Sequence, residues 1–280
     1  HTYAIHNYYA PAELVREFDT GPETSWRGDL SRRLNPPYWR AEGQAPLAGD
    51  AQHLVDLYDA TIRYADLELA RMFDRLESQG LLADTLVVIT SDHGEEFLEH
   101  GGLQHSLTLF EEQLRVPLMI RLPHGSGGTR IHDPVIQADL APTLVDLLGL
   151  RGRLPDPSCW QNSRANLLTG NADTAPSTPL LAQIDRADAR AIALRHGDLK
   201  LLWSDTTDQV LFPAPREWSL FDLRLDPEEA HDLALTHASL LKQERERFER
   251  IVERLRRDAL EVSARPLDSD TLEQLRALGY

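Results

Sequence analysis

The sequence predicts an α/β protein: a mixed sheet flanked by helices, followed by a smaller antiparallel sheet with a helix. Three observations carry this. The run Val87-Val88-Ile89-Thr90 is β-favouring and ends abruptly in the polar turn Ser91-Asp92-His93-Gly94-Glu95. Residues 52–80 place Leu54, Leu57, Tyr58, Ile62, Ala65, Leu69, Met72, Phe73 and Leu76 at helical spacing. Beyond residue 180, short apolar stretches at 180–184, 190–196, 199–203 and 218–223 alternate with turns, the pattern of an antiparallel sheet.

In chain order, residues 1–11 read as the end of a strand and the loop beyond it. Residues 12–50, rich in Pro, Gly and Arg, read as a long irregular insertion. Gly80 closes the long helix. A strand over 85–91 then delivers Asp92 and His93 to the carboxyl edge of the sheet. Residues 95–102 are too polar and glycine-rich for a core and read as a loop of the site. A second buried strand follows within 114–122. Residues 139–150 form a short helix with Asp139 as N-cap and Pro142 in its first turn. The loop-like stretch 170–179 sets a boundary, so that 1–175 form the larger domain and 176–280 a small α+β subdomain. A charged helix over 240–261 has Phe248, Ile251, Val252 and Leu255 as its apolar stripe, and its Glu/Arg alternation reads as a solvated face.

Composition narrows the function. At 280 residues and 41% hydrophobic, the chain can bury a sizeable core. A net charge of −16 argues against a grip on phosphate backbones, so no nucleic-acid partner is expected. The only lysines are Lys200 and Lys242. The single cysteine, Cys159, excludes an intramolecular disulfide. No apolar run approaches the roughly 20 residues of a membrane helix, so no membrane segment is expected in this chain.

The chemistry concentrates at Asp92-His93. A carboxylate beside an imidazole suits a divalent metal, whereas a plain polar turn is the competing reading. Two further imidazoles, His105 and His6, suit an anion held beside that metal. Their bland alternatives are a surface-loop histidine for His105 and an aromatic cluster with Tyr3, Tyr8 and Tyr9 for His6. His53, His124, His132, His196, His231 and His237 fit no ligand pattern and read as surface residues. Together these features point to metal-assisted hydrolysis of a sulfate or phosphate ester.

The motifs also run in a familiar order. Tyr58-Asp59, Tyr64-Ala65-Asp66, the segment 84–95, Glu99-His100-Gly101 and His105 come first. Thr108-Leu109-Phe110-Glu111-Glu112, Arg115-Val116-Pro117-Leu118 and Asp139-Leu140-Ala141-Pro142-Thr143-Leu144 follow. The series closes with Leu220-Phe221-Asp222-Leu223, Asp226-Pro227-Glu228-Glu229 and the segment 275–280. In this the chain resembles the carboxyl-terminal part of a sulfatase of the alkaline phosphatase superfamily.

The resemblance implies an alkaline phosphatase-like sheet and one divalent ion on Asp92 and His93, calcium first, with manganese or zinc as alternatives. It makes His6 and His105 both substrate-binding and catalytic: each contacts the anion, and either protonates the leaving alcohol. Glu95 would orient His93, and His100 would fix the loop. Asp59, Asp66, Asp222, Asp226 and Glu228 are expected to be structural. The family's Asp-Asp pair and its Cys-or-Ser-x-Pro-x-Arg motif, source of a formylglycine nucleophile, do not occur in this sequence. Cys159 lacks the required Pro and Arg spacing and reads as incidental.

The expectation is therefore a fragment whose amino-terminal block lies elsewhere, inactive alone and binding metal weakly. The full protein would be a metal-dependent sulfuric ester hydrolase acting on a sulfate-ester small molecule or glycan, with a periplasmic or secreted location favoured by the resemblance. The alternatives are a phosphoryl-transfer relative (a phosphonate or phosphodiester hydrolase, or a phosphoethanolamine transferase) and a non-catalytic binding module. The segments 220–223 and 226–229 lean towards the sulfatase. Trp26, Tyr38 and Trp39 either line a sugar subsite or anchor their loop. Arg27, Arg32, Arg33 and Arg40 either bind further anionic groups or are solvated.

Overall fold

The long amphipathic segment folds as one helix, longer at its start than the apolar spacing predicts. In the computed structural model, which describes residues 5, 6, 8–18, 48–105, 108–125, 128–153, 162–169, 179–185, 190–205 and 217–258, α2 runs Ala48–Ser78. Its end is a Schellman-type closure: Gly80 takes φ +68°, and Leu81 N–H donates to the Leu76 carbonyl at 2.9 Å. Leu54, Leu57, Ala60 and Thr61 are buried, but Ile62 and Met72 are 43% and 47% exposed. The apolar stripe is thus fully covered only over the first half of the helix, and Ala65, Leu69, Phe73 and Leu76 beyond it are half-buried.

Preceding it, α1 (Ala12–Phe18) replaces the irregular chain expected at the start of 12–50. Leu14 is its buried residue, and Val15 packs on the cluster of Tyr8, Leu54, Leu57 and Leu103. The aromatic and arginine residues of 26–40, Cys159 and most of the 170–179 boundary lie outside the described residues.

Strand β1 (Val87–Thr90) pairs antiparallel with β4 (Leu118–Arg121), Val87 opposite Arg121 and Thr90 opposite Leu118. Between them the segment expected as an open loop contains a small ribbon, β2 (Glu96–Phe97) with β3 (Leu103–Gln104), and the one-turn helix α3 (Glu111–Leu114). A 3₁₀ turn, Gln137–Asp139, leads into α4 (Leu140–Leu147), with Pro142 in its first turn as expected. Asp139 does not cap it. The Asp139 carboxylate instead accepts Arg164 Nε at 3.0 Å, just ahead of α5 (Ala165–Thr169). A partner twenty-five residues away has outcompeted the local cap.

The predicted antiparallel sheet is present as β5 (Leu180–Asp185), β6 (Arg190–His196), β7 (Leu199–Ser204) and β8 (Trp218–Asp222), in sequential order. Ala191, Ala193, Leu202 and Phe221 pack with Leu109 and Phe110, which lead into α3. That contact ties the sheet to the segment just behind the candidate site. The chain divides into compact units His1–Thr236 and His237–Tyr280. The second contains α6 (Ala238–Asp258), where Phe248 is buried, Leu255 is exposed and Glu244 pairs with Arg247. Among the described residues no helix is long and apolar enough to cross a membrane.

Candidate metal and anion site

Strand β1 ends at Thr90, and the next three residues form a turn fixed by polar bonds. Ser91 Oγ donates to the His93 carbonyl at 2.6 Å, and His93 N–H donates to Asp92 Oδ1 at 3.2 Å. Gln137 Nε2 donates to the carbonyls of Ser91 and Asp92, at 2.9 and 2.6 Å. Behind the turn, Gly94 and Glu95 N–H donate to the Gln113 and Glu112 carbonyls of α3. The approach is so close that a Cβ on Gly94 would lie 2.0 Å from the Glu112 oxygen. Only glycine fits.

The tautomer of His93 follows from its neighbour. Its Nδ1 lies 2.7 Å from the Gly94 carbonyl, which can only accept, so Nδ1 carries the proton and Nε2 the lone pair. That Nε2 is 3.8 Å from Asp92 Oδ1. A carboxylate oxygen and an imidazole nitrogen at this separation fit a divalent cation between them.

The structure brings all three predicted histidines together. The His93 and His105 rings stack with centroids 3.9 Å apart, and His6 lies 5.0 Å from His105. One nitrogen of each falls within 4.8 Å of the others. Burial and then the neighbouring His105 push His6 below its ordinary pKa. Tyr8, at φ +50°, turns its ring onto Tyr58 and Phe97, while the His6 ring lies against His105.

Glu95 departs from its expected part. Its buried carboxylate lies 3.3 Å from His105 Nδ1 through both oxygens, so it orients His105, not His93. Burial and then Glu95 push the Tyr8 hydroxyl well above the usual phenol range, so Tyr8 keeps its proton and donates to that carboxylate.

The loop carrying His105 hangs on Glu96, which is fully buried. Its carboxylate accepts Gly102 N–H at 2.7 Å, Gln113 Nε2 at 2.9 Å and Thr108 Oγ1 at 3.0 Å. Burial raises its pKa despite these donors. His100 does fix the loop: Nδ1 meets Glu112 at 2.7 Å, and the ring lies flat on Phe110 at 3.6 Å. Burial disfavours its charge, but Glu112 outweighs this and holds His100 above its ordinary pKa.

Two features escaped the sequence reading. Lys200, 1% exposed, bridges Glu111 and Glu229 at 2.9 and 2.8 Å, while Glu229 also accepts Glu111 N–H at 2.6 Å. The available signal was a rare lysine inside the apolar run Leu199–Leu202, which needs buried partners. His132 is exposed, as expected, but also lines a cleft of about 1100 Å³ with Asp92, His93, Arg130 and Arg195. Nothing local in the sequence marks it. Asp66 does behave structurally, pairing with Arg63 on the exposed face of α2.

Choline-sulfatase of Rhizobium meliloti is 32% identical over 179 residues, covering 63% of this chain and 32% of that protein. N-acetylglucosamine-6-O-sulfatase of Bacteroides thetaiotaomicron is 27% identical over 203 residues, covering 69% and 34%. The chain thus spans about a third of the length of the curated relatives it matches. The phosphonate monoester hydrolase of Agrobacterium radiobacter superposes with a TM-score of 0.65 at 21% identity, covering 89% of this chain and 54% of that one. Such likenesses show the fold, which is the alkaline phosphatase-like α/β fold. The sulfatase family model matches residues 1–150, a stretch that holds Asp92 and all three clustered histidines, and the chain belongs to the sulfatase family.

Proposed function

We propose that this chain supplies the metal-ligating and leaving-group side of a sulfuric ester hydrolase. The observation that carries the reading is the convergence of His6 and His105 on the Asp92-His93 turn. Asp92 and the Nε2 of His93 would hold one divalent ion, calcium first and manganese or zinc otherwise. When bound, that ion polarises an ester oxygen and offsets anionic charge. His6 would bind a sulfate oxygen as a hydrogen-bond donor. His105, with Nδ1 held by Glu95, presents Nε2 to the leaving-group oxygen and can carry the proton it needs. The reading places a formylglycine nucleophile outside these 280 residues. It also places the protein in the periplasm or outside the cell.

The substrates that fit are sulfate esters of small molecules or glycans, in line with the names of the relatives. The likeness to a phosphonate monoester hydrolase supports phosphoryl transfer as the second reading. The test uses the protein that joins this chain to the family's nucleophile, assayed on an aryl sulfate and an aryl phosphonate monoester. Sulfate turnover that is lost in His105→Ala and on chelation is expected. Preferential phosphonate turnover would select the second reading, and no turnover of either ester by a folded, metal-loaded protein would sink both.

A further inference from the structure

The geometry points to a second, mutually exclusive metal mode at the same place: a three-imidazole site on His6, His93 and His105 that takes a borderline ion of the zinc class and blocks the anion position. The three-imidazole site itself needs only three side chains of this chain, while its exclusion of the other ion and of the anion rests on the hydrolase reading.

The tautomers carry the argument. The Gly94 carbonyl at 2.7 Å takes the proton of His93 Nδ1. The Glu95 carboxylate at 3.3 Å takes that of His105 Nδ1. Both Nε2 atoms therefore keep their lone pairs. The two rings are stacked at 3.9 Å with planes 26° apart, and one ligand nitrogen of each lies within 4.8 Å of the other. A carboxylate or carbonyl behind a ligating histidine is the usual support of such ligands and makes the nitrogen a better donor. His6 completes the set, with its ligand atom within 4.8 Å of the other two.

A tetrahedral ion with metal–nitrogen bonds of about 2.0–2.1 Å needs ligand nitrogens roughly 3.3 Å apart. Closing from 4.8 Å is thus a shift of about 1.5 Å at most. His6 sits exposed on a turn and can supply its share, while the stacked His93 and His105 rings must turn apart to aim at the same ion. Three neutral nitrogens and one open position suit zinc or cobalt, not calcium, which takes an oxygen shell. The weak metal binding expected of Asp92 and His93 alone concerns the hard ion and leaves this mode untouched.

Exclusivity follows from His93. Its single lone pair serves either the ion shared with Asp92 or the ion shared with His6 and His105. Engaging the latter pair also removes both groups assigned to the anion. A zinc-class ion would therefore act as a competitor of substrate and not as a cofactor.

The test titrates the 280-residue chain with zinc chloride by calorimetry, with calcium chloride as comparator, and records the visible absorption of a cobalt-loaded sample. One zinc per chain is expected, with a tetrahedral cobalt spectrum. Affinity should fall tenfold or more in His6→Ala and in His105→Ala, with far-UV circular dichroism unchanged. His231→Ala, at an exposed histidine elsewhere, should leave it intact. Equal zinc affinity in wild type and His6→Ala, several weak equivalents, or an octahedral cobalt spectrum would overturn the proposal. His6 is exposed, so that variant keeps the test decisive even if another disturbs folding. Binding is read without turnover, so failure here and failure of the hydrolase reading are distinguishable.

Discussion

Glu95 holds His105, ten residues ahead of it, and leaves His93, two residues behind it, to a backbone carbonyl. The two site histidines are thus oriented by different means. A carboxylate can stabilise an imidazolium, whereas a carbonyl only fixes a ring. Glu95→Gln keeps the shape and removes the charge. In the complete enzyme it should lower kcat by roughly 10- to 100-fold while KM changes little. Steady-state kinetics on an aryl sulfate check this, and an unchanged kcat would relieve Glu95 of that role.

Gly94 is a matter of space, not of backbone sign. An added methyl would lie 2.0 Å from the Glu112 oxygen. Gly94→Ala must push the turn away from α3 and carry Asp92 and His93 with it. We expect a loss of about 1–3 kcal/mol in urea unfolding, with weakened metal binding. Full stability in this variant would show that the turn and α3 part easily.

Lys200 neutralises two carboxylates from a buried strand position. Removing it strands Glu111 and Glu229 in a site where burial already raises the pKa of Glu229. Lys200→Met should therefore cost about 3–5 kcal/mol, the usual penalty for breaking a buried pair. The double replacement Lys200→Met with Glu229→Gln should recover part of it. Denaturant midpoints of the two variants give the comparison, and equal midpoints would remove the pair from the account.

The His100–Glu112 pair gives the fold a pH dependence of known sign. His100 is held above its ordinary value of 6.5, although burial works against its charge, because Glu112 and then Glu229 favour the protonated ring. A raised folded-state pKa contributes stability that is complete below 6.5 and is lost as pH climbs through the raised value. Stability should thus fall with rising pH in the wild type, and less so in His100→Gln. Parallel pH profiles of the two proteins would show that the ring is not charged in the fold.

Much of this fold is written in local periodicity. The long helix and the strands β5 to β8 follow from spacing that tertiary contacts did not override. The turn at Asp92 and His93 was equally local. Where the reading failed, a distant group had intervened: Arg164 took the Asp139 carboxylate from its cap, and His105 took Glu95 from His93. The polar loop 95–102 hid a buried Glu96 because its donors, Thr108 and Gln113, come later in the chain. Helix α1 is only seven residues long, too short for a periodic signal amid proline and glycine. The meeting of His6 with His93 and His105 was suggested by imidazole chemistry and fixed in place only by the family resemblance, since no spacing rule links residues so far apart.

Lys200 has one more consequence, a kinetic one. It locks the sheet β5–β8 to Glu111, and α3 in turn accepts the amides of Gly94 and Glu95. Those two amides cannot meet solvent deuterium by loosening of the turn alone. Their exchange should wait for the opening that frees the lysine, so they should share a protection class with the inner strands of the sheet rather than with the exposed Glu99 and Gly101 nearby.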